Sequence, residues 1–336
     1  MAYYLAVERK AAQKRMEELK GKGLLDADFP VMQKEGKVWI PVRKGTDGAV
    51  ELDSERRSKK PKSLSEALVG VLSEEERKEV VRSFDVIGDI AIVEIPENIA
   101  AKEKEIAQAV MDVQRNVRVV VKKEGPMEGE YRVRKMKVIG GENRTETVHR
   151  ESEARMMLDV SKVYFSPRLS FERKRIAGLV EDGESVLALF AGVGPFPLVI
   201  AKTKKKCRIV AIELNPVAAA YMRKNIALNK MKNIIAVEGG VGEIVPRDYE
   251  NFADRVLMPL PKDAEEFLDA AYMGAKDGAI VHFYCFADMK NPIEAAKRKL
   301  FSKLGREKAE VVGARVVRPF SPSLVQVVLD FRVRKK

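Results

Sequence analysis

The run Val186-Leu-Ala-Leu-Phe-Ala-Gly-Val-Gly-Pro-Phe196 constrains this chain more than any other part of it. Its apolar start reads as a buried strand, Gly192 and Gly194 read as a turn, and Pro197-Leu-Val-Ile-Ala201 reads as a helix start. A strand that turns through glycines into a helix lets backbone come close to a ligand and aims helix N–H groups at it. Further on, Arg208-Ile-Val-Ala-Ile212 reads as a second strand ending in Glu213. An acid at that place can hold a ribose diol, although a plain strand-end acid fits the spacing too. Gly-x-Gly alone is weak. Strand, glycine turn, helix, strand and acid in that order make a nucleotide-type cradle.

With 336 residues, 46% of them hydrophobic, the chain has the makings of two or three globular domains. No apolar run approaches the ~20 residues of a membrane span. The N-terminus is charged from Glu8 onward and lacks a signal-peptide core, so a cytoplasmic protein away from membranes is expected. Cys207 and Cys285 are too few for a disulfide scaffold or a cysteine-based zinc site, and His149 and His282 are not spaced for a metal. No metal is expected, and both histidines and Trp39 read as structural. The net charge of +12 favours a polyanionic partner, most simply nucleic acid, against the plainer reading of a basic protein without one. The 33% of charged residues, rich in Lys and Glu, hints at a heat-adapted source.

Along the chain, residues 1–50 read as a small unit with a helix from Tyr4 to Lys20 and a strand over Lys37–Arg43. Residues 51–64 form a basic, Pro-containing linker, either a tether or an RNA contact. Residues 65–165 read as a mixed α+β module. Ser73 and Glu76 are spaced as a capping box. Strands are expected at 84–95, 117–121 and 131–139, with an amphipathic helix from Ala100 to Asn116 and a return over 145–149. From 166 to 336, strands are expected at 185–190, 208–213, 234–238, 255–259, 279–286, 309–318 and 324–334. Helices separate all but the last two. This order resembles the class I S-adenosylmethionine methyltransferases: an α/β, doubly wound, seven-stranded sheet with an antiparallel seventh strand, here preceded by two small α+β RNA-binding domains. The ligand belongs at the carboxyl ends of the strands.

A more specific resemblance is carried by Tyr164-Phe-Ser-Pro-Arg-Leu-Ser-Phe-Glu172, Phe190-Ala-Gly-Val-Gly-Pro-Phe196, Asn215-Pro216, Asn225 through Asn229-Lys230, and Arg255-Val-Leu-Met-Pro-Leu-Pro-Lys262. Phe84-Asp-Val-Ile-Gly-Asp-Ile-Ala91 and Gly129-Glu-Tyr-Arg-Val-Arg-Lys135 extend it over nearly the whole chain. Together they resemble the archaeal and eukaryotic tRNA (guanine37-N1)-methyltransferase family. The resemblance implies S-adenosylmethionine as cofactor and tRNA as partner, held at the purine of position 37 beside the anticodon and at the elbow by the N-terminal unit, by a monomeric enzyme. It implies Glu172 as general base, Arg132 on the guanine O6 and Tyr164 positioning the base. Read without it, these are a helix-start acid, a surface cation and a core aromatic. It puts Phe190, Ala191, Gly192, Val193 and Gly194 on the methionine side of the cofactor and Glu213 on the ribose, with Leu214, Gly240, Val241 and Pro259 completing that site. Arg134, Arg168, Pro261 and Lys262 are expected at the RNA. Lys14, Arg15, Lys20, Lys22, Arg43 and Lys44 are candidates for the elbow. Asn215 is expected to cap a helix, and Asn225 and Asn229 to serve packing and helix termination.

Three positions depart from the family: Ala188 and Gly240 where it commonly has Asp, and Pro259 where it has Asn. A proline has no N–H and cannot replace that amide. The loss resembles the archaeal branch that also methylates C7 of the tricyclic 4-demethylwyosine, whose bulk needs more room. The alternatives are a wyosine-pathway aminocarboxypropyl transferase on a similar fold, and a catalytically silent tRNA-binding protein.

Overall fold

In the computed structural model, residues 1–55, 61, 63–80, 84–129, 131 and 133–335 are described; Arg132 and most of the basic linker, 56–60 and Lys62, lie outside them. The chain divides into two compact units, 1–67 and 68–336.

In the first unit, β1 (Ala2–Glu8) leads into α1 (Ala12–Gly21), followed by β2 (Met32–Lys34), β3 (Lys37–Val42), β4 (Val50–Leu52) and the short α2 (Leu64–Ala67). The strands form one antiparallel sheet in the order β2-β3-β1-β4. The start of the expected helix, from Tyr4 to Glu8, is thus strand. Ala2 and Tyr4 point to one buried face while Tyr3 and Leu5 point to the other, and this period of two outweighs the helix formers that follow. Leu19 of α1 packs on Val38, Ile40 and Val42.

The second unit begins with α3 (Glu74–Val80), whose Ser73 and Glu76 form the reciprocal capping box. The stretch expected as one strand at 84–95 is a hairpin, β5 (Asp85–Ile87) and β6 (Ile90–Val93), turning at Gly88. Next come α4 (Glu103–Val113), β7 (Val119–Glu128) and β8 (Val133–Gly141), in a sheet of order β5-β6-β7-β8. A separate hairpin, β9 (Glu146–Glu151) and β10 (Ala154–Asp159), follows.

The remainder alternates α5 (Ser170–Leu179), β11 (Ser185–Ala188), α6 (Pro195–Thr203), β12 (Arg208–Glu213), α7 (Pro216–Leu228), β13 (Ile234–Glu238), α8 (Val241–Asp248), β14 (Ala253–Met258), α9 (Leu268–Gly274), β15 (Ala275–Asp288), α10 (Pro292–Leu304), β16 (Ala309–Pro319) and β17 (Leu324–Val333). The sheet order is β13-β12-β11-β14-β15-β17-β16, with β17 antiparallel to both its neighbours. The expected doubly wound sheet with an antiparallel seventh strand is therefore observed. Its inner strands are rich in buried apolar residues because both faces are covered, whereas the edge strand β16 alternates exposed and partly buried residues. Leu187, Val210, Val256, Phe283 and Leu329 face one layer of helices, and Val186, Ile209, Leu257, Tyr284 and Val328 the other.

Two asparagines, Asn225 on α7 and Asn229 at its C-cap, fasten β10 to this sheet. Asn225 accepts from Met157 N–H (2.7 Å) and donates to Met157 O (2.9 Å) and Val193 O (3.0 Å). One turn on, Asn229 accepts from Arg155 N–H (2.9 Å) and donates to Arg155 O (2.6 Å). Their amides act toward β10 as a neighbouring strand would.

Candidate active site

The site is assembled at the carboxyl ends of β11, β12 and β14. After β11 the backbone turns through Phe190 (φ 54°), Gly192 (φ 57°) and Gly194 (φ 88°), the last capping α6. A left-handed conformation at a phenylalanine is uncommon and costs about 1–3 kcal/mol. It is held by the Ala191 N–H donating to Ile212 O (2.9 Å) and by the Phe190 ring standing edge-on to Phe267, centroids 4.9 Å apart. A side chain on Gly194 would press on Met222, whereas one on Gly192 would meet only Tyr164 O, 3.8 Å away. Space therefore lies over Gly192, where a ligand can approach.

Glu213 ends β12 beneath this turn. Its Oε2 accepts from Gly192 N–H (2.7 Å) and its Oε1 from Asn215 N–H (2.8 Å). Burial pushes its carboxyl above the ordinary value, while the backbone N–H groups of Asn215, Gly192 and Leu214 pull it back. Each oxygen keeps a further lone pair for a ribose hydroxyl. Asn215 caps α7 by accepting from Val217 and Ala218 N–H, and donates to Lys162 O (3.2 Å), which fixes the segment leading to Tyr164. Leu214 is exposed at the rim, and Gly240, the N-cap of α8, follows β13 next door. The Val193 and Val241 side chains are buried in core clusters. Ala188 is buried within its strand end. These groups fit S-adenosylmethionine: a glycine turn open on one side, a carboxylate below it, and a helix start opposite.

Glu172 lies in the first turn of α5 and is 2% exposed. Its Oε1 accepts from the Tyr284 hydroxyl (2.7 Å) and from Arg175 Nε (2.8 Å). Its Oε2 is buried and has no hydrogen-bond partner; Arg315 Nη1 stands 3.5 Å away as an ion pair only. Arg175 is shared with Asp330, to which it donates over 2.8 Å. Asp330 is in turn 2.6 Å from His282 Nδ1, and His282 Nε2 is 2.9 Å from Arg255 Nη1. Arginine only donates, so Nε2 is the acceptor and Nδ1 carries the proton toward Asp330. Burial holds the His282 pKa below its ordinary value, which keeps the ring neutral. Burial would raise Asp330, but its bonds to His282 and Arg175 outweigh this and hold it well below the usual carboxylate range. Arg255 finishes the chain on Glu184, with two bonds of 2.7 Å. Tyr284 also faces Phe196 of α6, centroids 6.2 Å apart, which joins Glu172 to the helix that follows the glycine turn.

Tyr164 is 48% exposed beside Gly192; the core reading of this residue is ruled out. Pro259 directly follows β14, adjacent in the sheet to β11, and Pro261 O accepts from Phe286 N–H (3.1 Å). Lys262 is exposed just beyond. On the central module, Arg134 Nη1 is 3.7 Å from Glu94 and its Nε is buried without a hydrogen-bond partner, while Arg168 donates to Asp85 (2.7 Å). Arg132, expected on this strand, lies outside the described residues. Arg173, on the same helix as Glu172, grips Glu151 with two bonds and donates to Ser166 O. In the N-terminal unit, Lys20, Lys22, Arg43 and Lys44 are exposed around the point where Arg43 N–H bonds Leu24 O; Lys14 is exposed on α1, and Arg15 pairs with Glu18. Tyr284, Arg175, Asp330 and Arg315 were not anticipated from the sequence. Charged residues at alternate positions of otherwise apolar strands, Arg255, His282 and Asp330, were the available signal. Among the described residues, no group of His, Cys, Asp and Glu is arranged to hold a metal ion. No helix there is long and apolar enough to cross a membrane.

A sheet of this order, with a glycine turn after its first strand and an acid ending its second, defines a class I S-adenosylmethionine-dependent methyltransferase. The TRM5/TYW2 methyltransferase domain matches residues 147–312 and the TYW2 N-terminal domain residues 64–145. The chain belongs to the TRM5/TYW2 methyltransferase family, and its cofactor is S-adenosylmethionine. It is 41% identical to the tRNA (guanine(37)-N(1))-methyltransferase Trm5b of Pyrococcus abyssi, over 97% of this chain and 96% of that one. It is 34% identical to the tRNA (guanine(37)-N(1))/4-demethylwyosine(37)-methyltransferase Taw22 of Nanoarchaeum equitans, over 62% of this chain and 85% of the relative. It is also 32% identical to a tRNA(Phe) (4-demethylwyosine(37)-C(7)) aminocarboxypropyltransferase of Pyrococcus horikoshii, over 81% and 96%. Among solved structures, that of the Pyrococcus abyssi Trm5b superposes with a TM-score of 0.73 at 38% identity, covering all of both chains. The complex of aTrm5 with tRNALeu gives 0.78 at 30%, covering 98% of this chain and 99% of that one.

Proposed function

We propose that this protein is a tRNA methyltransferase that forms 1-methylguanosine at position 37 and also methylates C7 of 4-demethylwyosine in tRNA-Phe. The observation that carries the reading is the buried Glu172 Oε2, which has no hydrogen-bond partner beside an otherwise fully bonded carboxylate. Guanine N1 carries a proton at neutral pH and attacks poorly until that proton is removed. Glu172 Oε2 takes it, while Tyr284 and Arg175 hold the carboxylate in one orientation through Oε1. The share of Arg175 taken by Asp330 keeps Glu172 from being a simple ion pair. Arg132 stabilises the charge that moves to O6, and Tyr164 positions the base. S-adenosylmethionine, when bound, supplies an activated methyl group with a good leaving group. The backbone of 190–194, Glu213, Leu214, Gly240, Val241 and Pro259 hold it in line with the base.

Arg134, Arg168, Pro261 and Lys262 contact the RNA near the anticodon. Lys20, Lys22, Arg43 and Lys44 meet the tRNA elbow through phosphates, joined by Lys14 and Arg15. The enzyme works as a monomer in the cytoplasm. Pro259 offers no amide to the base, which leaves room for a tricycle.

Nucleoside mass spectrometry on tRNA-Phe carrying either G37 or the tricycle tests the reading. 1-Methylguanosine and a C7-methyl product are expected, with S-adenosylhomocysteine released in equal amount. Release of methylthioadenosine would identify an aminocarboxypropyl transferase instead, and no product a silent binding protein. Pro259→Asn should lower activity on the tricycle and spare G37. Alanines at Lys20, Lys22, Arg43 and Lys44 should weaken binding of full tRNA more than of an anticodon stem-loop.

A further inference from the structure

Beyond the groups that handle the target base, β15, β17 and β16 carry a second set of side chains on the face that holds Tyr284. Tyr284 pairs with Val328, which pairs with Arg315; two residues along, Phe286 pairs with Gln326, which pairs with Arg318. Successive same-face residues are about 7 Å apart along a strand, so Phe286 lies one step outward from Tyr284 and Glu172. The turn between β16 and β17 then folds Phe320 onto Phe286, centroids 4.1 Å apart and planes 35° from parallel, with Phe320 N–H held by Leu324 O. Phe286 N–H is itself fixed by Pro261 O, so the pair sits against the segment that begins at Pro259. Phe320 remains 55% exposed. Two guanidinium groups flank this strip. Arg318 donates to Gln326 (2.9 Å), and Arg315 lies over Phe171, 5.4 Å from its centroid, with that ring 69% exposed.

An exposed aromatic backed by a second ring and bordered by arginines matches a stacked, unpaired nucleobase with phosphates on either side. The geometry points to the Phe286–Phe320 pair as a stacking platform for the nucleotide next to the methylated one in the RNA loop, with Arg315 and Arg318 on the adjoining phosphates. Turning a base out of a loop removes a stacking partner from its neighbour, and Phe320 supplies a replacement. This inference rests on the RNA reading above and adds a subsite to it.

The test measures affinity, with S-adenosylhomocysteine bound, for full tRNA that is intact or lacks one base on the 5′ or the 3′ side of the target guanosine. The wild type should bind one of the two abasic RNAs about 5- to 100-fold more weakly than intact RNA. Phe320→Ala should lose a similar factor on intact RNA and nothing further on that abasic RNA, while Phe320→Trp retains the wild-type pattern. Unchanged melting temperature and cofactor affinity will show that Phe320→Ala is folded. If Phe320→Ala binds intact RNA as wild type does, or if its loss multiplies with the loss of the base at both positions, the platform is refuted. Product formation by the wild type on intact tRNA is read separately. Its absence refutes the methyltransferase reading, whereas coupling between Phe320 and one flanking base upholds the platform on its own.

Discussion

The Tyr284 hydroxyl donates to Glu172 Oε1 over 2.7 Å, and both groups are closed to water. A central strand and the first turn of α5 are thereby locked at the atom that fixes which Glu172 oxygen stays open. Glu172→Gln keeps the shape and loses the base, so methyl transfer should fall about 100- to 10,000-fold with tRNA and cofactor affinity kept. Tyr284→Phe should lower kcat alone, by about 10-fold, because Oε1 then keeps only its bond from Arg175 and the carboxylate is held less firmly. Single-turnover rates beside binding measurements check both. A Glu172→Gln enzyme of normal rate removes the general-base assignment.

With Glu213 at the ribose as proposed, cofactor affinity should depend on pH. Its folded pKa is raised above 4.5 by burial. The free fold therefore binds that proton more tightly than the unfolded chain does, and the associated stability is lost as pH rises through the folded value. Ribose hydroxyls donate to the ionised form, so cofactor binding should release protons and weaken as pH falls through a value above 4.5. Calorimetric titration with S-adenosylhomocysteine in two buffers of different ionisation enthalpy reads the protons. Glu213→Gln should abolish the release.

Gly240 does not need to be a glycine. Its φ is −76°, and a Cβ there would meet nothing within 4 Å. Gly240→Asp places a cap on α8, changing stability by only a few tenths of a kcal/mol. It also restores the carboxylate usual in the family, and S-adenosylhomocysteine should bind about 10-fold more tightly. An unchanged Kd would show that position 240 does not meet the cofactor.

Asn225→Ala leaves Met157 N–H, Met157 O and Val193 O unpaired in a dry interior. A loss of about 2–4 kcal/mol is expected in denaturant unfolding. Because Val193 belongs to the glycine turn, cofactor affinity should drop with it.

Glu151 links stability to acid. Burial would raise its pKa, but the two bonds from Arg173 outweigh this and hold it at about 2. It contributes about 3 kcal/mol that is fully present above 4.5 and lost as pH falls toward about 2. Acid titration of folding should show that loss in the wild type and a flatter profile in Glu151→Gln.

The seven-stranded sheet was legible because parallel strands buried on both faces are apolar runs separated by amphipathic helices, as at Val186–Phe190 and Arg208–Ile212. The first strand was not, because Tyr3 to Val7 is followed at once by a strong helix former and its period of two spans only seven residues. β10 was missed because Met156-Met-Leu158 carries no β-branched residue and its outer edge is satisfied by side chains rather than by a strand. Within the site, Glu172 and Glu213 stood out by position. The bond from Tyr284 to Glu172 spans 112 residues and that of Asp330 to His282 spans 48, so spacing gives neither, and Arg175, three residues from Glu172, has the look of an ordinary helix cation.

The clasp of Asn225 and Asn229 on β10 bears on how an RNA is admitted. β9 and β10 are also tied to the β5–β6 hairpin, through Thr147 and Arg144 on Asp89 and through Gly88 N–H on His149. α7 starts at the Asn215 cap, immediately after Glu213, and ends at the clasp. The module that carries Arg134 and the fold that carries Glu172 on α5 are therefore bonded into one frame through α7. An incoming tRNA meets a mould already set, and it is the nucleic acid that must bend.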